Sequence, residues 1–277
     1  MNTRSARSFR RPIATVLLLL GLAAAIDGFF VEPYSIEITR HHISAAPRSG
    51  SPDPPRGLAA PLKIAHLSDL HTRGVGRRER RLLAQLEAER PELIVVTGDT
   101  LSGSGDYEMC RALLSRLRAP LGVWVVRGNW ENWRPVRGER AFYASAGVNF
   151  LLNEAHPARE DVWLVGLDDP SSGSPNLDAA LKDVPPAAFT IALFHSPGYF
   201  NQVAGRCPLA LAGHTHGGQV RLPFMPSLWL PRGSGKFLAG WYQRGGAQMY
   251  VSRGIGTSVL PVRFFCRPEL AIITVEP

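Results

Sequence analysis

The sequence predicts an α/β domain built on a largely parallel sheet. Three observations carry that expectation. Apolar strand-like runs alternate with helical periodicity after Pro61, short polar motifs stand at the ends of those runs, and the composition suits a chain that buries one sizeable core. With 277 residues and 45% apolar content, the chain is neither disordered nor fibrous.

The N-terminus reads as a targeting segment. Arg4, Arg7, Arg10 and Arg11 precede the uncharged run Ile13 to Ile26, and Asp27 interrupts before Gly28-Phe29-Phe30-Val31. The run alone is shorter than the roughly 20 residues that span a bilayer, and extension to Val31 makes an anchor. Residues 1–31 are therefore read as a basic leader plus hydrophobic signal-anchor. An uncleaved anchor is preferred over cleavage at Ala23-Ala24-Ala25 and over a twin-arginine signal at Arg10-Arg11. Positive charge at the N-terminal side leaves that end in the cytoplasm and the rest on the extracytoplasmic side, with an exported soluble form as the alternative.

Residues 32–61 read as a linker holding one short strand-like stretch, Tyr34 to Thr39, and a loop at Ser49 to Pro55. His41 and His42 fall here as ordinary loop histidines, since no acidic or cysteine partner stands near them. Residues 62–277 form the principal domain. Strands are expected at Lys63–Leu67, Glu92–Val96, Gly122–Val126, Val148–Leu152, Val162–Leu167, Thr190–Phe194 and Leu209–Ala212. Helices are expected at Arg78–Arg90, where Leu82, Leu83 and Leu86 recur at helical spacing before Pro91, at Tyr107–Leu117 and at Arg140–Ala146.

The formal charge of +8 is carried almost wholly by arginine, since lysine occurs only at Lys63, Lys182 and Lys236. Without the four leader arginines the excess is +4, which favours an anionic partner such as a phosphate ester or a lipid head-group surface. A compositional habit of the genome explains the bias equally well. Cys110, Cys207 and Cys266 show no C-x-x-C spacing and read as buried thiols that leave the compartment open.

Chemistry concentrates at the strand ends. Asp69-x-His71, Gly98-Asp99, Gly128-Asn129, His195 and Gly213-His214-x-His216 each follow an apolar run, where ligands bind in open parallel sheets. This order resembles the calcineurin-like metallophosphoesterases, over nearly everything from Lys63 to His216. The stretches Gly217–Pro223 and Tyr250–Ser258 further resemble the branch of membrane-anchored or exported bacterial phosphodiesterases.

The resemblance implies a four-layer αββα sandwich behind an N-terminal anchor, with two divalent metal ions at one edge. It implies that Asp69, His71 and His216 hold one ion, that Asn129, His195 and His214 hold the other, and that Asp99 bridges them. A shared hydroxide would then attack phosphorus in a phosphodiester or pyrophosphate, on a lipid-linked or nucleotide-linked substrate. Mixed carboxylate and imidazole donors suit Mn, Fe or Zn. Taken singly, Asp69 or Asp99 reads as a helix cap and Asn129 as a turn residue; seven donors in this order do not. His66 reads as packed within its strand, His156 as a loop residue, and Asp168-Asp169-Pro170 as a turn.

One departure matters. The family usually has Gly-Asn-His followed by an acid where this chain has Gly128-Asn129-Trp130-Glu131. Trp130 has one weak donor and does not titrate near neutrality, and loss of a general acid costs on the order of 100- to 10,000-fold in rate. Either the leaving group needs little protonation, or Glu131 or an arginine substitutes, or the chain is a metal-binding envelope module with weak or no turnover. Trp130, Glu131 and Arg221 are the candidate substrate contacts, and Trp130 reads equally well as a packing residue. The stretch Leu222–Pro231 reads either as a packed loop or as an apolar lip resting on lipid. The expected partners are a phosphate-ester substrate and the membrane, with no nucleic acid; oligomeric state is not set by the sequence.

Overall fold

The computed structural model describes residues 5–45, 57–103, 107–225, 227 and 229–277, and the side chains from residue 13 onward. Arg4, the Ser49–Pro55 loop, Pro226 and Leu228 lie outside the described residues. The chain opens with α1 (Ser5–Ile26), which continues through a wider turn at Asp27–Val31 and a tighter one at Glu32–Tyr34. Asp27 therefore does not end the helical path. The apolar span runs Ile13–Tyr34, 22 residues, long and apolar enough to cross a membrane by length and composition.

The strands β1 (Glu37–Ser44), β2 (Leu62–Leu67), β3 (Leu93–Thr97), β4 (Val123–Val126) and β5 (Asn149–Phe150) belong to one sheet. Between them stand α2 (Arg77–Glu89), α3 (Tyr107–Leu114), α4 (Asn129–Trp133) and α5 (Glu139–Ser145). Next come β6 (Glu154–Arg159), β7 (Val162–Gly166), α6 (Leu177–Leu181), β8 (Phe189–Leu193), α7 (Phe200–Val203), β9 (Leu209–Ala212), β10 (Gly240–Arg244) and β11 (Ala247–Val251). The last strand, β12 (Glu269–Glu276), returns to the first sheet, giving the orders β1-β12-β2-β3-β4-β5 and β10-β11-β9-β8-β7-β6.

Side-chain alternation along the strands produces the four layers. Ile64, Val95 and Val126 face Leu164, Ile191 and Leu211 in a core between the sheets. On the other face of the first sheet Ala65, Leu67 and Val96 pack on Leu82 and Leu86 of α2 and Leu113 of α3. On the outer face of the second, Val165, Ala192 and Ala210 meet Ala180 of α6 and Val203 of α7. Strands buried on both faces read as continuous apolar runs, which is why β3, β4 and β9 are Leu/Ile/Val/Ala with little alternation. This is the expected αββα sandwich.

Local expectations shift where tertiary pairing intervenes. The Tyr107 helix ends at Leu114 rather than Leu117, because the Arg116 and Leu117 amides turn to the carbonyls of Leu113 and Leu114. Arg90, in the left-handed region at φ 47°, stops α2 one residue before Pro91. His156 lies in β6, not in a loop, exposed and against Trp124. His66 is packed as expected, with its Nε2 2.8 Å from Thr97 Oγ1. The Asp168-Asp169 turn is a turn: Asp169 accepts the hydroxyls of Ser171, Ser172 and Ser196. All three cysteines are buried.

The largest correction concerns residues 32–61. Glu37–Ser44 is no linker but a full strand, paired in parallel with β12 from Glu37↔Glu269 to Ser44↔Glu276. His41 and His42 sit within it, His41 packed against Tyr250. Arg253 reinforces the pairing by reaching Glu37 at 2.9 Å and Glu269 at 3.3 Å. Local pattern announces a short strand at Tyr34–Thr39, but its extension to Ser44 and its partner at the far end of the chain cannot be read locally. A chain beginning at Leu62 should consequently melt well below one beginning at Ser35. Losing the buried Ile36 and Ile43 alone removes about 3–6 kcal/mol, a fall on the order of 10 °C checkable by calorimetry.

Candidate metal centre

Parallel strands β2, β3, β4, β8 and β9 deliver the motif loops to one edge of the sandwich, at their carboxyl ends. The chain turns sharply there. Asp69, His71, Asp99, His214 and His216 all have positive φ, between 41° and 73°, a conformation Asp and His tolerate better than most residues at a cost of about 1 kcal/mol or more each. Close packing of the loops requires glycine beside them. A Cβ on Gly128 would stand 2.2 Å from Asp99 Oδ1, and one on Gly213 would stand 1.8 Å from Ser68 Oγ.

The ligand-type atoms converge in two groups, Asp69 with His71 and His216, and Asp69 with Asp99 and His195. His216 Nε2 lies 3.2 Å from Asp69 Oδ1 and 3.2 Å from His71 Nε2. Asp99 Oδ2 lies 3.2 Å from His195 Nε2 and 3.5 Å from His71 Nε2, between the two groups. Asn129 Oδ1 is 3.2 Å from His195 Nε2. The His214 ring adjoins that of His195 at 4.8 Å between centroids, outside both groups.

The other polar atom of each side chain is already engaged. His71 Nδ1 faces the Leu101 carbonyl at 3.0 Å, His195 Nδ1 that of Thr97 at 2.7 Å, and His214 Nε2 that of Arg232 at 2.8 Å. A carbonyl accepts, so the proton sits on those nitrogens and the opposite nitrogen keeps its lone pair. Asp99 Oδ1 accepts the Trp130 amide at 2.9 Å and Asp69 Oδ2 the His214 amide at 3.0 Å. Asp69 Oδ1 and His216 Nδ1 are buried with no hydrogen-bond partner. Buried carboxylate, amide-oxygen and imidazole groups that converge while Asp69 Oδ1 and His216 Nδ1 stay unpartnered among the described residues are the donor set a hard-to-borderline divalent cation needs, so these residues fit metal.

Burial holds the His71 and His214 rings down to about 4 and His216 well below its ordinary value, so all three are neutral near pH 7. Burial pushes Asp99 up to about 7, with Glu131 and Asp69 adding to the rise against His195. Burial opposes charge on His195 too, but Asp99 and Asp69 outweigh it and hold that ring well above its ordinary value. Without metal the His195–Asp99 pair thus retains a proton.

Two sequence-based contacts are corrected. Glu131 does not face the cleft. It is buried, and its carboxylate accepts the amides of Gly128, Asp99 and Thr100 within 2.9 Å and the Thr100 hydroxyl at 2.8 Å. With the Leu101 amide at 3.3 Å as a fifth donor, the carboxylate is turned into the loops and away from substrate. Arg221 is half-buried, its amide bonded to the Phe264 carbonyl, and it is not among the residues lining the cleft. Trp130 does line it, half-buried, its ring edge-on to His71 at 5.5 Å.

The cleft beside the metal ligands measures about 440 Å³. Trp133, Trp229, Val259 and Leu260 form walls above Asp99, Asn129, His214 and His216. Sequence reasoning missed Trp133, Val259 and Leu260, whose only signal is the apolar run Val259 to Val262. It also missed the orienting carbonyls, which have no residue-type signature. The Tyr250–Ser258 stretch supports the site from beneath: the Ile255 and Gly256 amides bond the carbonyls of Ser68 and Asp69.

Two outcomes follow. Glu131→Gln should lower stability by about 2 kcal/mol and weaken divalent binding, without a change in KM confined to substrate, as denaturant melts and metal titrations will show. Because cations bind the deprotonated pair, metal affinity should fall as pH drops below about 7, approaching tenfold per unit per displaced proton. Titration calorimetry at pH 6, 7 and 8 in buffers of different ionisation enthalpy reads both the affinity and the released proton; a flat profile contradicts this.

The comparisons with known proteins agree with this edge. The metallophosphoesterase YkuE of Bacillus subtilis is 29% identical over 89% of this chain and 88% of its own length. The phosphodiesterase YaeI of Escherichia coli is 28% identical over 88% of this chain and 90% of its own. A bovine transmembrane protein with a metallophosphoesterase domain is 28% identical over 95% of this chain but 61% of its own. The calcineurin-like phosphoesterase family model matches residues 62–218, more than half of the chain, and spans every ligand motif from Asp69 to His216. The chain belongs to the calcineurin-like phosphoesterase family.

Proposed function

We propose that this protein is a membrane-anchored hydrolase of phosphodiester or pyrophosphate bonds that depends on two divalent cations. The convergence of Asp69 Oδ1, Asp99 Oδ2 and the ring nitrogens of His71, His195 and His216 in two buried groups carries the reading. Asp69, His71 and His216 would hold one cation and Asn129, His195 and His214 the other, with Asp99 between; Mn, Fe and Zn all suit the set. When bound, such cations lower the pKa of a coordinated water and offset charge on phosphoryl oxygens.

The chain's own residues do the rest. Backbone carbonyls fix the imidazole orientations, and the Trp130 amide holds Asp99 in place. The amide nitrogen of Asn129 is free to donate to a phosphoryl oxygen, since its oxygen is the atom turned to His195. Trp130, Trp133 and Trp229 line the cleft and offer aromatic faces to a bound substrate. Trp130 supplies no proton and Glu131 is fully engaged, so the reading favours a leaving group that departs unprotonated, as in a pyrophosphate or aryl diester. The Escherichia coli relative named a phosphodiesterase supports the diester class. The span Ile13–Tyr34 and the bovine transmembrane relative support anchoring; the reading puts the leader in the cytoplasm and the domain outside on the leader's arginines alone.

A second reading, a metal-binding envelope module with weak turnover, draws on Trp130 alone. Substituting Trp130→His separates the two: in Mn, the rate on a diester with a poor alkoxide leaving group should rise at least tenfold, with little change on a nitrophenyl diester. No rise removes the missing-acid account. Asp99→Asn should abolish both activity and two-ion stoichiometry by elemental analysis; retained stoichiometry would defeat the placement of Asp99.

A further inference from the structure

We propose that the metal cleft opens into the head-group layer of the bilayer holding α1, and that its substrate is a phosphate ester carried on a long-chain lipid of that bilayer. The inference deepens the anchored-phosphoesterase reading and rests on it.

Depth is the first argument. The apolar span reaches Tyr34, yet Gly28, about 9 Å short of that end at 1.5 Å per residue, packs directly on the loop that walls the cleft. A Cβ on Gly28 would meet Val262 Cγ2 and the Arg263 carbonyl oxygen at 3.3 Å, and the Gly28 carbonyl accepts the Arg263 amide at 2.9 Å. Four residues on, buried Glu32 accepts the amides of Phe265 and Cys266. No linker separates span from site. The Ser258–Phe265 loop is therefore held at the level of the span's last turns, where acyl chains give way to head groups.

What that level exposes is the second argument. Of the lining residues Val259 is 82% exposed, Leu260 58% and Trp229 70%, while Phe224, five residues before Trp229, is wholly exposed and Phe265 at the end of the Ser258–Phe265 loop is 59% so. In water these side chains would form a costly apolar rim; in the interfacial layer they insert. The third argument is the division within the cleft. Ligand-type groups floor it, while the walls that Trp133, Trp229, Val259 and Leu260 form are uncharged. A lipid ester matches that division, with its phosphate on the floor and its chain along the walls. An adjoining groove reaches His71 from Phe30 and Tyr34 and carries Arg73 and Arg77, with the Arg77 guanidinium 5.5 Å over the Tyr34 ring; it suits an anionic head group.

The test uses the full-length chain, loaded with Mn and reconstituted in phosphatidylcholine vesicles. Hexadecyl 4-nitrophenyl phosphate and ethyl 4-nitrophenyl phosphate present the same reacting group on different tails. The hexadecyl ester should turn over at least tenfold faster. Phe224→Ser combined with Phe265→Ser should remove at least tenfold of that rate and leave the ethyl ester unchanged. Equal rates on the two esters, or equal loss of both in the double variant, overturn the lipid inference and spare the phosphoesterase reading; hydrolysis of neither ester overturns both. A readout without turnover is a bimane label on Leu260→Cys, which brominated phosphatidylcholine should quench. The same label on Glu160→Cys, in the β6–β7 turn at the opposite sheet edge, should stay bright. An unquenched label at Leu260 overturns the proposal.

Discussion

The structure depends on holding buried carboxylate and imidazole groups together at one edge of the sandwich, where water cannot solvate them. Two carboxylate oxygens, an amide oxygen and several imidazole nitrogens approach within 3.2–3.9 Å across five loops. Beyond the proton that the His195–Asp99 pair shares, burial penalises the approach of these groups, so the scaffold must impose it. The imposition is visible in the backbone: positive φ at five of the ligands, and glycines at Gly128 and Gly213 where any side chain would collide with Asp99 or Ser68. Strain of that kind persists only where surrounding structure over-determines it.

Glu131 is a principal part of that over-determination. One buried carboxylate gathers the amides of the Asp99 loop and of the Gly128 turn, so the second and third motifs move as a unit. Arg263 does the corresponding work on the other side. Its fully buried guanidinium donates to the carbonyls of Arg253, Gly254, Gly256 and Cys266 and stands 3.5 Å from that of His216. Burial lowers it to about 10, which still leaves it charged at neutral pH. The same residue's amide meets Gly28, so the base of the N-terminal helix and the His216 loop share one hydrogen-bonded block. Rigid coupling of span to site gives the orientation of the cleft physical meaning.

Trp130 shows how one substitution redistributes work within a preserved frame. Its backbone amide still serves Asp99, and its ring occupies the mouth beside His71 and Trp133.

The motif order, the strand–helix alternation and the apolar leader were legible in the sequence because they are local. A buried parallel strand announces itself by composition, and a ligand at its carboxyl end by the glycine or polar residue that follows. From these came the α/β class and the motif positions, while the grouping of the candidate ligands and the oddity of Trp130 came from the family resemblance that the motif order carries. Tertiary structure decided what local pattern cannot carry. It turned a supposed linker into β1 through pairing with β12 more than 200 residues away, and it withdrew Glu131 from substrate by surrounding it with backbone amides. It also set the carbonyls that fix each imidazole and seated the helix base against the cleft wall. Those facts rest on backbone groups and long-range contacts, which every residue type can supply and none advertises.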